Sequence, residues 1–154
     1  MIRCATPDDS SSICRVHMES IRVLAKDHYS AAQIEAWCGN RVPKNYLRPL
    51  AEQVMFVAEI AGEVVGFGQL SVEKASVEAV YVHPQYARQG VGTELLQALE
   101  ASAIAAGVPD LMLQASLNAV AFYAAAGYLP SLLSQHMVAG SISVPCMNMS
   151  RTLR

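Results

Sequence analysis

The stretch from Val77 to Ala106, VEAVYVHPQYARQGVGTELLQALEASAIAA, decides how the rest of the chain is read. Val77 to Val82 is an apolar strand, His83-Pro84 turns the chain, a short polar loop follows, and a long helix opens near Gly90 and Gly92. A helix N-terminus presents backbone N–H groups without intrahelical acceptors, together with the positive end of the helix dipole. That combination holds a phosphate without help from a charged side chain. Glycine at 90 and 92 lets a pyrophosphate approach the main chain closely. Two common phosphate motifs do not fit. A dinucleotide fingerprint needs a third glycine where Leu95 stands, and a Walker loop needs Lys-Ser/Thr where Thr93-Glu94 stands.

On the N-terminal side, Ile2 to Cys4 reads as a short strand and Thr6-Pro7-Asp8-Asp9 as a helix start, with Thr as N-cap and Pro in the first turn. From Ile13 to Leu24 one helical face carries Ile13, His17, Ser20, Ile21 and Leu24, and the other carries Arg15, Glu19, Arg22 and Lys26. Ser30 to Gln33 forms a capping box for a helix through Trp37, which Gly39-Asn40 ends. Asn45 to Gln53 is a further helical segment. Val54 to Ile60 and Glu63 to Val72 are strands joined by a tight hairpin at Ala61-Gly62.

Beyond the central helix, Gly107-Val108-Pro109 is a stop signal and Leu111 to Ala115 the next strand. Asn118 caps a helix to Ala126. A final strand pair covers Gln135 to Val138 and Ser141 to Met149. No repeat, linker or low-complexity tract divides the chain, so residues 1–154 are expected to form one domain.

Composition narrows the function. A net charge of −2 and a pI near 6.0 give no electrostatic case for nucleic acid. Mean hydropathy is high at +0.26, yet no apolar run approaches the ~18 residues that a membrane span needs. The first residues, Met-Ile-Arg-Cys-Ala-Thr-Pro, hold no apolar signal-peptide core. Cys4, Cys14, Cys38 and Cys146 lack Cys-x-x-Cys spacing, and free thiols in a reducing cytoplasm are expected. The histidines form no metal set either: His17 and His28 have no carboxylate at helical ligand spacing. From Leu111 to Ser150 there is no Asp, Glu, Lys or Arg. A homodimer contact would explain that gap, and so would a deeply buried C-terminal sheet in a monomer.

The strand, Pro-containing loop, Arg88-Gln89-Gly90-Val91-Gly92 and helix resemble motif A of the GNAT superfamily of acyl-CoA-dependent N-acyltransferases. Ala87 stands where that pattern has Arg or Gln, and Arg88 follows it. Asn118-Ala-Val-Ala-Phe-Tyr123-Ala-Ala-Ala-Gly127-Tyr128 resembles the family's motif B, in the right order and separation. The element order β-α-α-β-β-β-α-β-α-β-β matches the GNAT fold. That fold is an α/β architecture with a mixed sheet of about seven strands flanked by about four helices, splayed at the cofactor site.

The resemblance implies acetyl-CoA as cofactor. It implies that the loop amides at Arg88, Gln89, Gly90, Val91, Gly92 and Thr93 hold the pyrophosphate. It implies too that main-chain groups across Val80, Tyr81 and Val82 meet the pantetheine arm. By the same resemblance Asn118 contacts the cofactor, and Tyr123 sits by the sulfur as general acid; core packing of Tyr123 and simple capping by Asn118 are the plain alternatives.

The residues themselves suggest a base. Glu78 lies inside an otherwise apolar strand, and a carboxylate there needs a cleft or a partner. Alternation puts Glu78 on the face of Val80 and Val82, opposite Val77, Ala79 and Tyr81. If half buried toward the transfer centre, it is placed to take a proton from an amine through a water. His17, Ser20, Tyr29 and Trp37, with His28 and Glu35 nearby, are candidates for the substrate side, and His136 and Cys146 meet across the last two strands.

Transfer of an acetyl group to a primary amine by direct attack in a ternary complex is the expected activity. A non-catalytic acyl-CoA-binding module of the same fold is the alternative. The acceptor stays open between small metabolite, antibiotic, polyamine, amino acid and protein N-terminus.

Overall fold

Ala61 and Gly62 both take positive φ, 51° and 81°, as a two-residue hairpin turn demands, and join β2 (Val54–Ile60) to β3 (Glu63–Ser71). The computed structural model, which describes residues 1–39, 41–139 and 142–153, continues this hairpin antiparallel into β4 (Ser76–Val82). β1 (Ile2–Cys4) adds to the outer side of β2. After α4 (Val91–Ala105), β5 (Asp110–Ser116) returns parallel to β4. β6 (Leu129–Ala139) and β7 (Ile142–Thr152) complete a seven-stranded mixed sheet in the order β1-β2-β3-β4-β5-β7-β6.

Among the described residues five α-helices flank the sheet, in keeping with the expected number of about four. α1 (Ser10–Leu24), α2 (Ala31–Cys38) and α3 (Leu47–Glu52) cover one face; α4 and α5 (Val120–Ala125) cover the other. Of the caps read from sequence, the Ser30–Gln33 box forms in full, whereas at Thr6 the bond comes from Asp9 reaching back and the Thr6 hydroxyl accepts no cap bond. Thr6 N–H donates to Asp9 Oδ2 at 2.8 Å, and Ser30 and Gln33 exchange bonds of 3.0 and 3.1 Å at the start of α2. The α1 face that turns inward carries Ile13, Val16, His17, Ser20 and Ile21; Leu24, expected with them, is exposed at the frayed end.

What positions α4 is small residues beneath it. Gly66 and Gly68 on β3 lie under Leu95 and Leu99, and an added Cβ at either would come within 3.0 Å of a leucine Cδ1. The helix therefore settles closely onto the sheet, and its N-terminus lands beside the end of β4. Glu100 pins its far half, accepting from Tyr128 Oη at 2.9 Å and from the Arg151 guanidinium at 2.8 Å.

Several boundaries differ from expectation: α3 begins at Leu47, after a tight turn over Pro43–Tyr46, and β7 runs on to Thr152. β6 begins at Leu129 rather than Gln135, because Pro130 looks like a strand breaker but sits on an edge strand beside a register shift, where a missing N–H is tolerated. The helix expected at Asn118 opens instead with a tight turn over Leu117–Ala119. Asn40 and Ser141, read above as a helix end and a strand start, lie outside the described residues.

Candidate active site

The sheet opens between its two parallel strands. β4 and β5 pair only through Ser76 with Met112 and Val77 with Leu113, although both strands run on, to Val82 and Ser116. The phase of the β3–β4 ladder shows which groups face the opening. His83 N–H donates to Val65 O at 2.7 Å, so in the register Phe67–Tyr81 and Gln69–Ala79 the odd-numbered residues bond to β3. The N–H and C=O of Val80 and Val82 then point the other way, into the gap that β5 has left. Tyr81 differs from expectation: its main chain is spent on Phe67, and its ring is what reaches the gap.

A cavity of about 460 Å³ lies on the α4 side of this opening, lined by Val80, Val82, Arg88, Gly90, Gly92 and Thr93 among others. Arg88 and Gly90 adopt positive φ of 62° and 85°, a bend that aims the start of α4 at the cavity. The first intrahelical bond runs from Glu94 N–H to Gly90 O at 3.0 Å, which leaves the amides of Val91, Gly92 and Thr93 without helix acceptors. The two glycines serve different ends. Gly90 supplies a left-handed conformation in open space, whereas Gly92 makes room for the Phe122 ring, 3.2 Å from where a Cβ would sit. Asn118 also lines this cavity, and its buried Oδ1 has no hydrogen-bond partner among the described residues. It caps nothing, because the tight turn places it inside the first turn and makes Ala119 the N-cap of α5. A buried unpaired acceptor costs about 1–3 kcal/mol, so this oxygen marks a place for a donor from a ligand. Free amides, an unpaired strand edge and an orphaned carbonyl are together a fit for a nucleotide-linked amide chain such as coenzyme A.

A second cavity of about 660 Å³ opens on the α1 side. Trp37, Tyr81 and Ser116 line both, so the two meet at the gap in the sheet. Glu78 faces this second cavity, with Ala79 and Tyr81, not the α4 side with Val80 and Val82. The reason is a β-bulge. The register slips between Gln69–Ala79 and Leu70–Val77, Glu78 is left without a partner, and alternation breaks there. Val77 in turn packs beneath α4 with Leu96 and Leu99. Glu78 is exposed rather than half buried, and the one side-chain hydrogen bond it accepts among the described residues is from Ser76 Oγ at 3.4 Å.

Behind Glu78 the wall is aromatic. His17 Nδ1 lies 2.8 Å from Tyr46 Oη, and the His17 ring is 4.3 Å from that of Tyr81 and 5.5 Å from that of Phe67. Burial first, then the nearby Arg41 charge, pushes the His17 imidazole down to about 3, so it is neutral at ordinary pH. Burial pushes the phenols of Tyr46 and Tyr81 up to about 12.

The remaining candidates divide. Trp37 stands at the junction of the cavities. Ser20 faces the α4-side cavity rather than the one holding His17. Tyr29 lines neither, because its hydroxyl is used as a strut, donating to Pro145 O at 2.6 Å and accepting from Leu117 N–H at 2.8 Å. Gln89 is exposed, with its amide on Gln85 O, and the Val91 side chain packs into the sheet. Tyr123 is buried edge-on against Phe122 and Tyr128, and burial raises its phenol far above the ordinary value, with Tyr81 adding to the shift. His136 and Cys146 face Val144 and Ser134 rather than each other, because the register is offset by two residues. Sequence reading missed Arg41 and Tyr46, which lie on segments without a motif, and Phe122, which stands beside Tyr123 inside the motif B run.

Known proteins share this sequence pattern and this fold. A family model described as an acetyltransferase (GNAT) domain matches residues 25–151. YafP of Escherichia coli (strain K12), described as an uncharacterized N-acetyltransferase, is 30% identical over 127 residues, which is 82% of this chain and 79% of YafP. A GCN5-related N-acetyltransferase structure from Rhodopseudomonas palustris is 30% identical, with a TM-score of 0.93 over 99% of this chain and 94% of that one. The PaiA N-acetyltransferase of Thermoplasma acidophilum, solved in complex with coenzyme A, shares the fold at 20% identity and a TM-score of 0.75 over 99% of this chain and 98% of that one.

Proposed function

Because the chain belongs to the GNAT acetyltransferase family, we propose that it is an N-acetyltransferase moving an acetyl group from acetyl-CoA to a primary amine by direct attack in a ternary complex. The supporting observation is the meeting of two cavities at one break in the sheet, the first lined by groups that suit coenzyme A and the second by a carboxylate. Acetyl-CoA supplies an acetyl group activated as a thioester. The amides of Val91, Gly92 and Thr93 hold its diphosphate, helped by the dipole of α4. The main-chain groups of Val80 and Val82 complete their hydrogen bonds with its amide-bearing arm, as a strand would. Asn118 Oδ1 accepts a donor from the same arm.

On the other side of the gap Glu78 takes a proton from the ammonium of the acceptor, directly or through a water, so that a neutral amine attacks. His17 is kept neutral and adds no positive charge to oppose an incoming cation. Tyr123 is assigned the general-acid role by its motif position: burial keeps its phenol protonated, and it stands against Phe122, which lines the α4-side cavity, rather than lining that cavity itself. The reading covers residues 1–154 as one domain.

The test is an amine panel with release of free coenzyme A as readout, run on the wild type, Glu78→Gln and Tyr123→Phe. An enzyme loses on the order of 100-fold in turnover in each variant while keeping its affinity for coenzyme A. A non-catalytic acyl-CoA-binding module shows no turnover to lose, and that result overturns the reading.

The charge-free C-terminal region supports a homodimer in this proposal. Leu129, Leu132, Leu133 and Met137 on edge strand β6 are 60–71% exposed, so deep burial does not account for their lack of charge. Leu133→Glu should halve the mass seen by light scattering if β6 is the contact. The four cysteines are free thiols, which supports a cytoplasmic setting, and no helix among the described residues is long and apolar enough to cross a membrane.

A further inference from the structure

The geometry points to an acceptor that carries, besides its amine, an oxyanionic group held by Arg41. This rests on the acceptor cavity assigned above and adds the substrate class to it. Among the described residues, two charged side chains of the Asp, Glu, Lys and Arg type line that cavity, Glu78 on the β4 bulge and Arg41 just beyond α2. One arm of the Arg41 guanidinium is anchored: Nε donates to Trp37 O at 3.3 Å, in the last turn of α2, where the helix dipole favours a cation. The remaining N–H groups of the fork are turned among the cavity residues, where the charge is felt by His17, Tyr46 and Tyr81.

The arginines elsewhere show how unusual this is. Arg3, Arg22, Arg48 and Arg151 each pair with a carboxylate, and Arg15 rests on the Val64 carbonyl. Arg41 and Arg88, the two arginines among the described residues that line the cavities meeting at the gap in the sheet, have no carboxylate partner among those residues. Arg88 stands on the diphosphate side. Arg41 is its counterpart on the acceptor side.

A guanidinium fixed at one edge, half buried and without a carboxylate partner among the described residues is a ready receptor for a carboxylate or phosphonate, whose two oxygens match its fork. Glu78 at the other end suits an ammonium, and the walls between are neutral. The cavity is thus polarised for a zwitterionic amine such as an amino acid or aminophosphonate. A polyamine would set its second cation against Arg41.

The test uses the full chain with acetyl-CoA and matched acceptor sets: the common L-amino acids, their carboxamides, aminoalkyl phosphonates, and spermidine. At least one amino acid or aminophosphonate is expected to exceed its uncharged counterpart tenfold or more in kcat/KM. The two anion types within the panel separate a carboxylate acceptor from a phosphonate one. Arg41→Gln should remove the advantage and leave the coenzyme A Kd within about twofold; Arg41→Lys should restore part of it.

A second readout does not need turnover. Trp37 is the only tryptophan in the chain and stands at the junction of the cavities, so its emission reports occupancy. The anionic amines should shift it at tenfold lower concentration than the carboxamides in the wild type, and equally in Arg41→Gln. Carboxamides or spermidine matching the acids in both readouts overturns the inference. Fluorescence discrimination without any turnover sustains it and sinks the catalytic reading instead.

Discussion

Replacing Asn118 by leucine should make the protein more stable and its cofactor site weaker, two effects that rarely come from one substitution. Asn118 Oδ1 is buried, lines the α4-side cavity and has no partner among the described residues. Leaving such an oxygen unpaired costs the folded state about 1–3 kcal/mol, and an apolar side chain of similar size avoids that cost. For a chain of 154 residues each kcal/mol moves Tm by about 2–4 °C, so the ligand-free Asn118→Leu protein should melt at least ~2 °C higher. When coenzyme A is bound the same oxygen would hold a donor, a bond worth about 1 kcal/mol, so Kd should rise about fivefold. Scanning calorimetry of the ligand-free protein and titration calorimetry with coenzyme A measure the two halves. A lower melting temperature with unchanged affinity would refute the reasoning, because it would make Asn118 a structural residue whose oxygen is satisfied.

Two further perturbations follow from the same site. His17 has a folded-state pKa of about 3 against 6.5 for the free imidazole, so between those values the unfolded chain binds a proton that the folded one refuses. Stability is therefore lost as pH falls below 6.5, by up to about 1.4 kcal/mol per unit and about 2 kcal/mol by pH 5; comparison of urea midpoints at pH 7 and pH 5 should show this loss shrink in His17→Gln. At Gly90 the φ of 85° with nothing within 4 Å means that Gly90→Ala suffers backbone strain alone, about 1–2 kcal/mol, and Gly90→Asn less. Equal stability losses for Ala and Asn would show that space, not conformation, sets the residue there.

Much of this architecture could be read from the chain because its signals are local. The Ala61-Gly62 turn, the Ser30–Gln33 box and the Arg88–Gly92 loop each depend on a few neighbouring residues, and all three formed. The direction of Glu78 depended on something else. Its face follows from a slip against β3, between the pairs Gln69–Ala79 and Leu70–Val77, and no pattern within β4 announces a bulge. Tyr29 misled for a related reason: an aromatic hydroxyl in a polar segment suggests a binding group, yet its partners Leu117 and Pro145 are brought to it by the sheet. Arg41 was passed over because an arginine after a helix is ordinarily a surface residue. Only the absence of a carboxylate beside it, and the cavity in front of it, single it out.

The account rests on backbone groups, and an ¹⁵N-labelled titration with coenzyme A observes them directly. Amide shifts concentrated at Val91, Gly92 and Thr93, with a second set at Val80 and Val82, are the predicted result. Saturating coenzyme A that leaves those five amides unmoved, or that shifts a different face of the sheet, contradicts it.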